Sequence, residues 1–69
     1  MISADISNSQ IAQVIDEYIR SERDRKLLKR RLIDGVYFED LAEEFELSVR
    51  HCKTIVYHCQ EIVFRHLNA

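Results

Sequence analysis

The sequence contains no proline and a single glycine, Gly35. Because these two residues are the strongest breakers of regular helices, their scarcity favours an all-helical chain. With 46% apolar and 32% charged residues, the composition is that of a globular protein and not of a disordered one. We therefore expect the 69 residues to form one small all-α domain.

Long apolar runs are also missing. No stretch approaches the roughly 20 residues that span a bilayer, and Met1 leads into a polar segment that does not resemble a signal peptide. We expect a cytoplasmic protein without a membrane partner, in which residues 1–6 form a flexible N-terminus. A domain this short buries only about 60% of its unfolded surface, which favours self-association.

The chemical signatures of catalysis are absent too. There is no glycine-rich phosphate loop and no nucleophile with an evident general base. A domain of this size has little room for a substrate cavity of a few hundred Å³. The sequence predicts that the protein is not an enzyme and uses no cofactor or small-molecule substrate.

The first predicted helix spans about residues 8–20. Ser7 and Gln10 have the spacing of a capping box, and Ile6 and Ile11 occupy the positions of a hydrophobic staple. An apolar stripe then recurs at helical spacing and is interpreted as core: Ile11, Val14, Ile15, Tyr18 and Ile19.

The second predicted helix begins after Ser21, a capping residue with Asp24 at the third helical position. Gly35 is expected to stop this helix in a left-handed conformation. The inward-facing residues are Leu27, Leu28 and Leu32, with Ile33 as a further candidate.

Two further helices are predicted at about 38–45 and 49–67, joined by a tight turn. The shorter one has an apolar stripe of Phe38, Leu41, Ala42 and Phe45. Ser48 caps the longer one, which is about 28 Å long. Its inner stripe contains Val49, Cys52, Val56, Cys59, Ile62, Val63 and Leu67. Because Ala42 is small, the two helices can cross closely at a steep angle, as in a helix-turn-helix.

The run IDGVYFEDLAEEFELSVRHCKTIV resembles the DNA-binding helix-turn-helix of sigma-factor region 4 and of LuxR-type regulators. The corresponding strings are Asp34-Gly35, Tyr37-Phe38, Asp40 to Phe45 and Leu47-Ser48. With Leu27 and Leu28 upstream, the resemblance covers roughly two thirds of the chain. Glu46 stands where many members have glycine, and Tyr37 replaces the usual Ser or Thr cap.

The resemblance implies a helix-turn-helix at about 38–59 that binds double-stranded DNA in transcription regulation. Its sigma-factor side implies RNA polymerase as a further partner, and its LuxR side implies pairing of two copies through the last helix. The small size fits a regulator encoded by a phage or mobile element. The alternative is a protein-interaction module that keeps this fold but docks a protein partner.

The charge is unevenly distributed, although the net charge is only −2. Residues 20–31 hold seven cations and two carboxylates, a net +5, whereas residues 39–46 hold five carboxylates and no cation, a net −5. Residues 48–69 have a net +2 from three cations and one carboxylate. Local positive potential, and not the total charge, is what a DNA-binding face needs. The acidic residues are interpreted as favouring solubility and as complementing the helix dipole. The alternative is that they form a docking surface for a basic partner.

Two groups of side chains are candidates for DNA contact. The outer face of the long helix, near its N-terminus, holds Arg50, His51, Lys53, Thr54, Tyr57 and His58. These are residue types that reach phosphates and base edges. On the second helix Arg23, Lys26 and Arg30 share one face and are candidates for phosphate contact. For both groups the alternative is an ordinary solvated face.

Phe64 lies off the inner stripe, on a line with Tyr57 and Gln60. An exposed phenylalanine is unfavourable in a monomer, so Phe64 and Gln60 are predicted to form a homodimer interface. The alternative is that Phe64 folds back onto the first helix near Ile15 or Tyr18.

The pairs His51-Cys52 and His58-Cys59, followed by His66, suggest a metal site. Residues seven apart on a helix are about 10.5 Å apart, however, and zinc needs ligands within about 2.3 Å of one point. The two cysteines lie on the inner stripe and are interpreted as core thiols, the alternative being a metal site between molecules. We predict no metal site within the chain.

Overall fold

Four α-helices and their connecting turns make up residues 7–67, the part of the chain that the computed structural model describes. They are α1 (Asn8–Tyr18), α2 (Glu22–Leu32), α3 (Phe38–Phe45) and α4 (Val49–Leu67). No strand occurs among these residues, which confirms the predicted four-helix, all-α class. None of the four helices is long and apolar enough to cross a membrane. The expected staple residue Ile6 and the N-terminus predicted to be flexible lie outside the described residues.

Side-chain caps fix where α1 and α2 begin. The Ser7 backbone N–H donates to Gln10 Oε1 at 3.0 Å, and the Gln10 N–H donates to Ser7 Oγ at 3.2 Å, so the predicted capping box is formed. Ser21 Oγ likewise accepts from the Asp24 N–H at 3.2 Å. These bonds satisfy backbone donors that have no partner inside a helix.

The end of α1 differs from the prediction. The helix stops at Tyr18, two residues before the expected end at about residue 20, and Ile19 adopts an extended backbone. The Arg25 guanidinium donates to the carbonyls of both Ile19 and Arg20 at 2.8 Å. Since this side chain satisfies carbonyl groups of the α1–α2 turn, the backbone leaves the helix before its predicted end.

Two of the described residues adopt a left-handed backbone: Gly35, as predicted, and Glu46, which stands where many members of the resembling families have glycine. Gly35 has φ 70° in the connection after α2, and Glu46 has φ 57° at the end of α3. A non-glycine residue in this region costs about 1 kcal/mol. The cost is offset by local hydrogen bonds, since the Leu47 N–H donates to the Ala42 carbonyl at 2.9 Å. Tyr37 provides no side-chain cap for α3, as expected.

The core surrounds α4, which packs against each of the other three helices. The buried residues are Ile15, Ile19, Leu27, Leu28, Leu41, Cys52, Ile55, Val56, Cys59 and Val63. Leu32 and Ile33, predicted to face inward, are half-buried. Ile55 is missing from the predicted inner stripe because a helix enclosed by three neighbours buries a wider face than one stripe. Tyr18, in contrast, lies at the core's edge with 45% of its surface exposed.

Ion pairs connect α2 to the helices on either side. Lys29 Nζ lies 2.8 Å from Asp16 Oδ1 of α1, and Arg30 Nη2 lies 3.1 Å from Glu44 Oε1 of α3. Arg30 also pairs with Asp34 at 3.1 Å. These pairs are solvent-exposed, so each contributes little to stability; their main effect is on which charges remain available at the surface.

Candidate nucleic-acid interface

The first three turns of α4 carry an exposed polar face. Ser48 caps the start of the helix, since its Oγ accepts a hydrogen bond from the His51 N–H at 3.0 Å. This cap sets the register in which Cys52, Ile55 and Val56 are buried. All six predicted DNA-contacting residues of this helix are exposed: Arg50, His51, Lys53, Thr54, Tyr57 and His58.

The two permanent cations of this face are not neutralised within residues 7–67. Neither Arg50 nor Lys53 forms an ion pair with a carboxylate of the described chain. Their charges are therefore available to an anionic ligand. The Thr54 hydroxyl donates to the Arg50 carbonyl at 3.1 Å, so its oxygen lone pairs remain free to accept a further hydrogen bond.

Phe38, at the start of α3, is the centre of a cluster that joins three helices. The guanidinium carbon of Arg31 in α2 lies 4.3 Å from the centroid of the Phe38 ring, and Lys53 Nζ of α4 lies 5.7 Å from it. Tyr57 meets the same ring edge-on, with centroids 6.1 Å apart and planes at 73°. Both cations lie within the roughly 6 Å range in which an aromatic face attracts a cation.

Arg31 was not among the predicted DNA-contacting residues, although the sequence contains a signal for its position. It follows Leu27 and Leu28 by four and three residues, which places it on the same side of α2 as the core. There its Nη1 donates to the Val36 carbonyl at 2.9 Å. Arg31 forms no ion pair with a carboxylate among residues 7–67.

The three cations of α2 that were predicted to contact DNA are paired with carboxylates inside the molecule. Arg23 lies 3.0 Å from Asp24, Lys26 lies 3.7 Å from Glu22, and Arg30 bonds both Glu44 and Asp34. The hydrogen bonds to Glu44 and then to Asp34 raise the pKa of the Arg30 guanidinium. Lys26 and Arg30 line an open groove of about 360 Å³ with Phe45. The positive potential expected from this face is thus reduced by neighbouring carboxylates.

The outer surface of α3 is acidic. Glu39, Asp40 and Glu43 are exposed, and none of them forms an ion pair within the described part of the chain. Glu39 and Asp40 lie in the first turn of α3, where negative charge is favoured by the helix dipole. A surface of this kind would repel a phosphate backbone.

The end of α4 carries the two residues predicted for a homodimer interface. Phe64 is 44% exposed, and Gln60 is half-buried. The neighbouring His66 stacks on Tyr18 of α1, with ring centroids 3.6 Å apart and planes at 5°. The aromatic ring stacked on Tyr18 is therefore that of His66, and Phe64 keeps a large exposed surface beside it.

Both cysteines are free and buried, as the core interpretation expects. Burial raises the pKa of the Cys52 thiol, and burial together with the nearby Asp24 raises that of the Cys59 thiol. A raised pKa leaves less of the reactive thiolate at neutral pH. Among residues 7–67 no three potential metal ligands converge on one point.

The candidate interface is thus a polar face on α4 whose cations have no carboxylate partner among residues 7–67, extended through Phe38 to Arg31 and bordered by an acidic α3. When the chain was compared with known proteins, no family model, no curated protein and no solved structure matched it.

Proposed function

We propose that this chain binds double-stranded DNA in transcription regulation, with α3 and α4 acting as a helix-turn-helix and α4 as the recognition helix. The observation that carries the proposal is the exposed polar face on the first three turns of α4, in which Arg50 and Lys53 have no carboxylate partner within the described chain. Residues near the N-terminus of a recognition helix are those that enter the major groove. Arg and Lys there can bind guanine or phosphate.

The proposal predicts duplex binding that weakens steeply with salt. A duplex selected from a random pool should bind the chain, and the affinity should fall between about 50 and 200 mM salt, because each neutralised phosphate adds about −0.9 to the slope of log affinity against log salt. Fluorescence anisotropy of the labelled duplex, repeated at several salt concentrations, measures this slope. DNA binding would be rejected if no duplex were selected, or if the affinity for the duplex did not change with salt concentration.

The acidic surface of α3 supports a second candidate function. Glu39, Asp40 and Glu43 would attract a basic protein partner by charge complementarity. This candidate needs no DNA contact from α4. RNA polymerase, the further partner implied by the sigma-factor resemblance, would be one occupant. Substitution of these three residues by glutamine would weaken the binding of a basic protein partner. The same substitutions would leave the affinity for DNA unchanged or increase it.

We also propose that two copies of the chain pair through the end of α4. This proposal is based on Phe64, which is 44% exposed. A small domain gains stability when it buries further apolar surface. Sedimentation equilibrium at micromolar concentration should detect a dimer, and Phe64→Ala should shift it to monomer. Tyr37→Ala, which removes another exposed aromatic ring, is the control and should leave the dimer intact. A monomeric parent protein would exclude this interface.

A further inference from the structure

The three cations of α2 predicted to contact DNA differ from Arg31 in what neutralises them. Arg23, Lys26 and Arg30 each have a carboxylate within 4 Å. Arg31 has none among residues 7–67, and its guanidinium carbon lies 4.3 Å from the Phe38 ring centroid. An aromatic ring holds a cation in place without neutralising its charge. Of these four residues, Arg31 is therefore the one whose positive charge is not neutralised by a carboxylate of the described chain.

The Phe38 ring also relates Arg31 to α4, the proposed recognition helix. Lys53 Nζ lies 5.7 Å from the centroid of Phe38, so cations from α2 and α4 are attracted to one aromatic side chain of α3. Tyr57 packs edge-on against that ring at 6.1 Å and adds a hydroxyl donor from the third turn of α4. The arrangement links Arg31 to the residues proposed to enter the groove.

We propose that Arg31 is a phosphate-binding residue of the interface and that Phe38 is the positioning residue that aligns it with Lys53. This inference rests on the proposed DNA binding. It assigns the backbone contact of α2 to Arg31 and not to Arg23, Lys26 or Arg30. The Val36 carbonyl holds Arg31 Nη1 at 2.9 Å, and the remaining guanidinium N–H groups can reach a phosphate oxygen.

A contact to phosphate has a signature that a base contact lacks. Arg31→Ala should weaken binding to the selected duplex and to an unrelated duplex by the same factor, and should lower the salt slope by about 0.9. Lys26→Ala, which removes the same charge from the same helix, is the matched control and should leave the slope unchanged. Arg31→Lys keeps the charge and should restore the slope.

The role of Phe38 is tested by variants that separate its ring from its bulk. Phe38→Leu should weaken binding about two- to five-fold, the loss expected for an exposed cation–π contact. Phe38→Tyr keeps the ring and should bind like the parent. If the role of Phe38 were purely structural, both variants would have a lower melting temperature in circular dichroism. Their affinities for DNA would then not differ from each other.

The outcomes separate this inference from the proposal on which it rests. If the parent binds DNA and Arg31→Ala matches Lys26→Ala in affinity and salt slope, Arg31 is not a phosphate contact, and DNA binding by α4 still stands. If Phe38→Leu binds as tightly as Phe38→Tyr, the positioning role of the ring is rejected. If the parent binds no duplex, the proposed function fails and this inference fails with it.

Discussion

Leu41→Ala is expected to lower the free energy of unfolding by about 2–5 kcal/mol, the range for removing a buried leucine side chain. Leu41 is completely buried and is the residue through which the eight-residue α3 enters the core. A single core of this size supplies no more than about 3–5 kcal/mol. A large fraction of the variant should therefore be unfolded at 37 °C, as measured by urea denaturation followed by circular dichroism.

The neighbouring residue Glu43 provides the control for this experiment. It lies on the same helix but is exposed and forms no ion pair within residues 7–67. Glu43→Ala should change the free energy of unfolding by less than about 0.5 kcal/mol, as is usual for surface substitutions. If both variants had the same denaturation midpoint as the parent, α3 would not be anchored in the core through Leu41.

The starts of the first two helices could be predicted from the sequence because their signals are local. Ser7 and Ser21 each accept a hydrogen bond from a residue three positions along the chain. A contact over three residues depends on the helix geometry alone, which is the same in every protein. The left-handed backbone of Glu46 has no such local signal, and only the resemblance, in which many members have glycine at this position, pointed to it.

The partners of the charged side chains could not be predicted in this way. Arg30 and Arg31 are adjacent in the sequence, yet Arg30 bonds Glu44, fourteen residues away, and Arg31 lies over Phe38. Successive residues on a helix point about 100° apart, so adjacent cations meet different neighbours. Which of them is neutralised depends on how α2 and α3 pack. The sequence therefore identified a basic helix, but it could not show that the three residues proposed for phosphate contact have carboxylate partners in the fold.

This division of charge leaves cations without a carboxylate partner in the described part of a chain whose net charge is −2. Salt bridges within α2 and between α2 and its neighbours account for four of its cations and their carboxylates. The cations left without a carboxylate partner in the described chain include Arg31, Arg50 and Lys53. Two of them lie near the same Phe38 ring, with Arg31 at 4.3 Å and Lys53 at 5.7 Å from its centroid. Local potential at that surface is what determines the attraction of a polyanion.

Replacing Arg50 and Lys53 together with alanine is expected to have the largest effect on DNA binding. Each bidentate contact to a base is worth about 1–3 kcal/mol, so losing both should cost about 2 kcal/mol or more, roughly a thirty-fold loss of affinity. Both side chains are exposed and neither forms an ion pair in residues 7–67, so the circular dichroism melt should be nearly unchanged. Anisotropy with the selected duplex measures the loss.

The control for this double variant must remove two positive charges from elsewhere on the surface. Arg20 and Lys26 are exposed and are not among the cations found over the Phe38 ring, and Arg20→Ala with Lys26→Ala gives the same change in net charge. A long-range electrostatic effect would weaken the two double variants equally, whereas contact through α4 weakens only the first. Equal binding by the parent and by the Arg50 and Lys53 variant would remove α4 as the recognition helix. The acidic surface of α3 would then be the better candidate for the binding function, with a basic protein as its partner.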